Sequence, residues 1–310
     1  MPARRLSRII EGASALPSLP AVVGRLVTAM ADERLGLEAL AQHVAADPAL
    51  SARILAAANA GAYALHGVAT IPQAIALIGI NRVHDIAVQS AMLEVFSDFA
   101  VPDSLRAIWL ESLAAAICAE EVAAHSGANR SVAHVAGLLH DIGKLLLYAV
   151  LRDEYLEVLA VVERSGRPIS EVERELIGVD HAMAGGELAR VWRLPDVIAD
   201  AILGHTASPA PEIVRSPMAD IVHVGVVLAH ALDLAGRHNN CVPLLDEGAC
   251  LRAGLRWEML PSLLMRIEGR FVAAREALGD CHRRCGPVEC SGRCQMHRDS
   301  PPGQSPQGEA

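Results

Sequence analysis

Aromatic residues are scarce in this chain. Phenylalanine, tryptophan and tyrosine occur three times each among 310 residues, whereas hydrophobic residues make up 52% of the sequence. A protein built from many β-strands is normally enriched in aromatic and β-branched residues. We therefore predict a folded, all-α protein whose core consists mainly of alanine, leucine, valine and isoleucine.

An excess of positive charge is lacking as well. The formal net charge is −9 at pH 7, whereas proteins that bind nucleic acid draw much of their affinity from basic residues that neutralise phosphates. Nucleic acid is therefore not an expected partner.

Long apolar runs are also missing. The most apolar stretch, residues 221–234, contains His223, His230 and Asp233 and is shorter than the roughly 18 apolar residues that cross a bilayer. Residues 1–30 contain charged residues and prolines where a signal peptide has a continuous apolar core. We expect no membrane association and a cytoplasmic location.

Helical periodicity runs through most of the chain and is interrupted by proline, glycine and aspartate. Residues 16–99 predict about five short helices, with Asp47 as the N-cap before Pro48 and with Gly79 as a stop. A second group of helices is predicted beyond residue 104.

Two predicted helices of this second group bear on the organisation of the chain. One runs from Ser131 to about Leu151, and another runs from Glu258 to Leu278. We predict two closely packed helical lobes, residues 1–100 and residues 101–279, followed by a cysteine-rich extension and a polar tail over residues 280–310.

The dyad His140-Asp141 is the sharpest chemical feature. It lies in an otherwise apolar stretch, where burying such groups without partners costs several kcal/mol. Imidazole and carboxylate can hold a first-row metal when other helices add ligands. His181 begins one predicted helix and His205 ends the next, so we predict that these histidines converge on the dyad. A satisfied polar pair at a helix surface stays open as an alternative.

Motifs of one family follow one another along the chain. They are Leu16-Pro17-Ser18-Leu19-Pro20, Ala46-Asp47-Pro48-Ala49-Leu50 with Leu55 and Asn59, Ala74-Ile75-Ala76-Leu77-Ile78-Gly79, Gly137-Leu138-Leu139-His140-Asp141-Ile142-Gly143-Lys144, Asp180-His181-Ala182, and Trp192-Arg193-Leu194-Pro195 ahead of His205. Over about residues 14–206 the chain resembles the HDOD branch of the HD superfamily of metal-dependent phosphohydrolases. The resemblance implies that the second lobe is an HD-like helical bundle.

The chain departs from the pattern of catalytic HD proteins, which include the HD-GYP phosphodiesterases. Where those enzymes have a metal-binding histidine on the helix before the dyad, this chain has Glu111. Thr206 follows His205 where a second histidine is often found, and the late aspartate has no secure counterpart. The resemblance implies a partly retained metal site made of His140, Asp141, His181, His205 and Glu111, for Mg²⁺, Mn²⁺ or iron.

A second constellation lies outside this resemblance. Cys281, Cys285, Cys290 and Cys294 fall within fourteen residues, separated by three, four and three residues. Four nearby thiols can wrap Zn²⁺ or an iron–sulfur cluster, although the spacing differs from that of common zinc ribbons. Redox-sensitive thiols and inert cysteines in a flexible tail are the alternatives.

The resemblance implies a catalytically inactive regulatory module of bacterial signal transduction. Such a module acts through contacts with other signalling proteins, and we expect its partners in the groove between the lobes. One alternative is a metal-dependent phosphohydrolase of a nucleotide such as cyclic di-GMP. Another is a metal or redox sensor that uses the C-terminal cysteines. A homodimer stays open.

Overall fold

The computed structural model describes residues 2–13, 41, 44–45, 48–60, 68–83, 85–87, 108–206, 214–236 and 241–284. In these ranges every regular segment is helical and no strand occurs, which confirms the all-α class. No helix in the same ranges has both the length and the apolar character needed to cross a bilayer. The predicted domain boundary at residues 100 and 101 lies outside the described residues.

Thirteen α-helices have both ends within these ranges, and a short 3₁₀ turn, Trp257–Met259, precedes the last of them. The helices are α1 Pro2–Ala13, α2 Pro48–Ala60, α3 Ile71–Ile78, α4 Ile108–Ser126, α5 Arg130–Leu139, α6 Ile142–Val150, α7 Arg152–Ser165, α8 Ile169–Leu176, α9 His181–Val191, α10 Asp196–Gly204, α11 Pro217–Ala231, α12 Glu247–Arg252 and α13 Leu260–Arg284.

The predicted stop at Gly79 ends α3. Gly79 has a φ of 82°, a left-handed conformation that glycine adopts without steric cost, and its N–H bonds to the carbonyl of Ile75. Helices α2 and α3 pack against each other. The Asn59 side chain joins them, since it donates to the Leu55 carbonyl in α2 and accepts the N–H of Val68 ahead of α3.

Helices α4, α5 and α11 form the centre of the second group, where α4 packs on both of the others. The close approach of these helices depends on glycine, which has no side chain. A Cβ at Gly137 of α5 would lie 2.7 Å from Cα of Ala116 in α4. The small residue therefore brings α5, and the dyad at its end, against α4.

The single helix predicted over residues 131–151 is wrong, because the chain turns at the dyad. Helix α5 ends at Leu139 and α6 begins at Ile142, with His140 and Asp141 between them. The apolar periodicity continues through the break and gives no sign of it. Packing accounts for the turn, since Gly143 at the start of α6 lies so close to α9 that a Cβ would meet the carbonyl oxygen of His181 at 1.9 Å.

Helix α13 lies on α4. Its Leu263, Ile267 and Phe271 pack against Leu113 and Ile117 in a separate small core. The helix continues to Arg284, six residues beyond the predicted end at Leu278.

Candidate functional site

All four residues of the predicted cluster stand at helix ends. His140 is the C-cap of α5 and Asp141 is the N-cap of α6. His181 is the first residue of α9, whose N-cap Asp180 accepts the N–H of Met183. His205 is the C-cap of α10. Four helix ends therefore meet at one buried point.

The carboxylate of Asp141 lies at the centre of the cluster. Its Oδ2 is 3.2 Å from Nε2 of His140, and its Oδ1 is 3.4 Å from Nε2 of His181 and 3.9 Å from Nε2 of His205. The ring of His205 is 5.0 Å from the ring of His140, centroid to centroid. The convergence predicted from the sequence is thus found in the structure.

Each histidine ring forms a hydrogen bond through Nδ1, on the side of the ring that faces away from Asp141. Nδ1 of His140 lies 2.7 Å from the Gly137 carbonyl, and Nδ1 of His205 lies 2.6 Å from the Ile202 carbonyl. A carbonyl only accepts, so both Nδ1 atoms donate. Nε2 of both rings therefore faces Asp141, and in the neutral form of each ring Nε2 carries the lone pair that a metal-binding histidine requires.

Glu173 holds the third ring, although it is not among the site residues predicted from the sequence. This carboxylate is fully buried in α8. One of its oxygens lies 2.6 Å from Nδ1 of His181 and also accepts the backbone N–H of His181 at 2.8 Å. The sequence contains a signal for a buried Glu173. It is four residues from both Ile169 and Ile177 and so falls on the apolar face of its helix.

Lys144, the last residue of the dyad motif, contacts the dyad directly. Its Nζ lies 2.6 Å from Oδ2 of Asp141. Burial opposes the charged form, but the Asp141 and Glu111 carboxylates raise the pKa of Lys144 above its ordinary value. The cluster therefore contains a permanent positive charge.

The pKa values of the cluster move in different directions. Burial acts against the charged form of Asp141, yet the His140 ring and Lys144 hold the pKa of Asp141 well below its ordinary value. Burial and the neighbouring rings of His140 and His181 lower the pKa of His205 strongly. For His181 the Glu173 carboxylate outweighs burial and raises the pKa. A proton held by the cluster is therefore favoured at His181 over His205.

A small pocket opens beside His140, with Glu111 from α4 in its wall. Its cavity volume is about 10 Å³, close to the space that one water requires. The set of ligand atoms that lie within 4.8 Å of one another comprises His140, Asp141 and His205, and it includes neither His181 nor Glu111. The predicted ligand Glu111 is thus at the edge of the cluster.

The three polar residues of the apolar stretch 221–234 fall in two places, and one of them, His223, is buried with Nδ1 2.9 Å from the carbonyl oxygen of His205. His230 and Asp233 line the same pocket as Glu111, where α11 also contributes Val226 and Ala229.

The cysteine cluster falls largely outside the described residues. Cys281 lies in α13, whereas Cys285, Cys290 and Cys294 belong to the range that the structure does not describe. Metal binding by these four thiols stays a prediction.

The donor set at the dyad fits a divalent metal. Three imidazole Nε2 atoms face one carboxylate, and a carboxylate or carbonyl fixes each ring through Nδ1. Such outer partners are typical of metal sites, because they orient the ring and raise its basicity. Imidazole nitrogens suit iron, zinc and related transition metals, whereas Mg²⁺ prefers oxygen.

Comparison with known proteins gives a family match and several structures of similar fold. A sequence profile of the HDOD domain matches residues 16–208. An HDOD domain protein of unknown function from Geobacter sulfurreducens is similar in structure, with a TM-score of 0.70, 24% sequence identity, and coverage of 90% of this chain and 98% of that chain. A provisionally named phosphohydrolase from Shewanella amazonensis gives a TM-score of 0.66, 23% identity, and coverage of 87% and 97%.

Two further relatives extend over different lengths. A provisionally named signal transduction protein from Marinobacter aquaeolei has a TM-score of 0.67 and 21% identity, and the match covers 90% of this chain and 63% of that chain. An uncharacterized protein of Treponema pallidum is 20% identical over 201 residues, which is 64% of this chain and 39% of the relative. The chain therefore spans well under half of that relative. At these identities the structural likeness shows the fold alone.

Proposed function

The chain belongs to the HDOD family, and from that premise we propose that it is a regulatory module of signal transduction. It holds one divalent cation at the His140, Asp141, His181 and His205 cluster, it acts through contacts with other proteins, and it does not hydrolyse a nucleotide. The relative from Marinobacter aquaeolei bears a signal-transduction name, which is consistent with this class.

The contact between Lys144 and Asp141 carries the proposal. Hydrolysis with two metal ions needs the ions about 3.5–4 Å apart and held by shared ligands. Asp141 is the only carboxylate among the four residues of the cluster. Its Oδ2 already has the Lys144 ammonium at 2.6 Å, so a second cation there would meet a positive charge. One cation between Oδ1 and the imidazoles avoids that repulsion.

The wall contributed by α11 supports the same conclusion. Val226, Ala229 and His230 of α11 line the pocket beside His140, and none of the three is a carboxylate, whereas Asp233 lines the same pocket beyond the end of the helix. Asp220 of the same helix is turned to Arg252, which approaches its two oxygens at 2.6 and 2.8 Å. The carboxylate that would complete a catalytic shell is therefore not supplied by α11.

The residues of the cluster have separate tasks toward the cation. Asp141 would supply the negative charge, and the three imidazoles would supply neutral donors. A bound divalent cation would act as a Lewis acid and lower the pKa of a coordinated water. Lys144 would offset part of the negative charge that the cation otherwise meets at Asp141.

A titration with Mn²⁺ tests the proposal, because Mn²⁺ prefers hard donors such as the Asp141 carboxylate to the soft thiolates of the C-terminal cysteines. We expect about one equivalent per chain in the wild type and none in Asp141→Ala. The matched control is Asp220→Asn, which alters an equally buried carboxylate outside the cluster and should keep the equivalent. Two equivalents that both depend on Asp141 would contradict the single-cation proposal.

A metal-dependent phosphohydrolase is the second candidate. The observation that favours it is the set of Nε2 atoms aimed at Asp141, which matches the needs of a metal site. The water-sized pocket between His140 and Glu111 would give a coordinated water a place beside the cluster. Turnover assays separate the two candidates.

A further inference from the structure

His223 on α11 is a buried histidine with two defined partners, and it is not one of the residues that face Asp141. Its side chain is 1% exposed. Nδ1 lies 2.9 Å from the carbonyl oxygen of His205, and Nε2 lies 3.1 Å from the backbone nitrogen of Asp246. The backbone N–H of Asp246 donates to Nε2, so Nδ1 carries the proton and donates to His205.

We propose that His223 is a positioning residue that fixes His205 for cation binding by tying the His205 backbone to Asp246 at the start of α12. This inference rests on the proposed cation site. Outer partners that orient a metal-binding histidine commonly contribute 10- to 100-fold to metal affinity, and His223 acts on the peptide that carries the ring.

A second bridge runs beside the first. Arg215 donates to the carbonyl of Thr206 and also contacts the Asp246 carboxylate at 2.6 Å. Asp246 is the N-cap of α12, where its side chain accepts the N–H of Ala249. Residues 205 and 206 are therefore both tied to Asp246, the N-cap of α12, and a shift of that helix would reach His205 through His223.

Two amide substitutions separate the two bonds of His223. An asparagine amide nitrogen takes the place of Nδ1, so His223→Asn can keep the donor to His205 while losing the contact with Asp246. A glutamine amide oxygen takes the place of Nε2, so His223→Gln can accept from Asp246 while losing the donor to His205. Both variants lose one hydrogen bond of similar kind.

The experiment measures Mn²⁺ affinity by calorimetry for the wild type and both variants, together with urea unfolding in the absence of metal. We expect His223→Gln to bind Mn²⁺ at least about tenfold more weakly and His223→Asn to stay within about threefold of the wild type. A purely structural role would lower stability in both variants and leave the affinity of the folded proteins alike. Wild-type affinity in His223→Gln would overturn the proposal.

A second measurement tests the positioning role without depending on cation binding. Nitrogen-15 spectra of the histidine rings are recorded without metal, with the His205 signals assigned by their loss in His205→Gln. We expect His223→Gln to shift the His205 signals and His223→Asn to leave them close to the wild type. If the wild type binds no Mn²⁺, the proposed function fails, and unchanged His205 signals in His223→Gln would overturn the positioning role on their own.

Discussion

The carboxylate of Glu173 binds His181 twice, at Nδ1 of the ring over 2.6 Å and at the backbone N–H over 2.8 Å. This pair fixes both the rotation of the ring and the start of the helix that carries it. The other oxygen of Glu173 accepts the Tyr155 hydroxyl at 2.9 Å. A single buried glutamate thus joins α7, α8 and α9 behind the cluster.

Replacing Glu173 should weaken both the fold and the cluster. Glu173→Ala removes the carboxylate that accepts the Tyr155 hydroxyl and the His181 N–H, and each such loss costs about 1–3 kcal/mol. We expect urea unfolding to show a loss of that order and Mn²⁺ affinity to fall about 10- to 100-fold. Tyr155→Phe is the control, which should cost about 1 kcal/mol and keep the affinity. Equal Mn²⁺ affinity in Glu173→Ala and the wild type would refute a role at the site.

Removing the charge of Lys144 should favour cations at the dyad. Lys144→Met leaves Oδ2 of Asp141 without its ammonium partner, so we expect a higher Mn²⁺ affinity or a second bound equivalent in equilibrium dialysis. Lys144→Arg keeps the charge and should resemble the wild type. If the methionine variant binds Mn²⁺ no better than the arginine variant, Lys144 does not limit the site.

Gly143 should tolerate no side chain. A Cβ there would lie 1.9 Å from the His181 carbonyl oxygen and 2.6 Å from the Gly185 nitrogen, so Gly143→Ala must separate α6 from α9. Overpacking of this kind costs about 1–3 kcal/mol, occasionally more. Gly269 in α13 has no atom within 4 Å of an added Cβ, and Gly269→Ala should stabilise by up to about 1 kcal/mol. Thermal unfolding of both variants compares their melting temperatures. Similar melting temperatures would contradict the close packing of Gly143 against α9.

Stability should fall at alkaline pH because of His134 on α5. This buried ring lies 2.7 Å from Oδ1 of Asp85 and 3.1 Å from Oε2 of Glu120, and Arg270 pairs with Glu120 from α13. Burial opposes the charge, but the two carboxylates raise the pKa of His134 to about 9. Because the pKa of His134 is higher in the folded protein than in the unfolded chain, protonated His134 stabilises the fold fully below the unfolded-state pKa of about 6.5. This stabilisation is lost as the pH rises through about 9.

The His134 contribution is on the order of 3 kcal/mol, and urea unfolding at pH 6 and pH 9.5 measures it. We expect the wild type to lose about that much more free energy of unfolding between the two pH values than His134→Gln loses. The glutamine variant keeps every other titrating group, including those that ionise in the unfolded chain. The same loss in both proteins would assign the pH dependence to other groups.

Local signals in the sequence predicted many of the helix ends but not the turn at the dyad. Asp180 caps α9, Pro195 precedes α10, and Gly79 ends α3, as their side chains and backbone preferences indicate. The break at His140 and Asp141 has no such signal, because it follows from how closely α6 approaches α9. Contacts between distant helices are not encoded in local periodicity.

The candidate site likewise contains residues that the sequence could predict and residues that it could not. The histidines and Asp141 could be found from motif order, since each stands beside a helix signal. The role of Lys144 could not, because an ammonium three residues after Asp141 faces it only if the chain resumes a helix there. The link from His223 to His205 joins α10 to α11 and becomes visible only in three dimensions.

Turnover of cyclic di-GMP tests the central claim, a signalling module without hydrolysis, most directly. The wild type is assayed with Mn²⁺, Fe²⁺ and Mg²⁺ beside His140→Ala and Asp141→Ala, with helical content checked by circular dichroism and an active HD-GYP phosphodiesterase as the positive control. The account predicts no product from the wild type with any of the three metals. Product that forms with the wild type and disappears in both folded variants would contradict it and establish a phosphohydrolase.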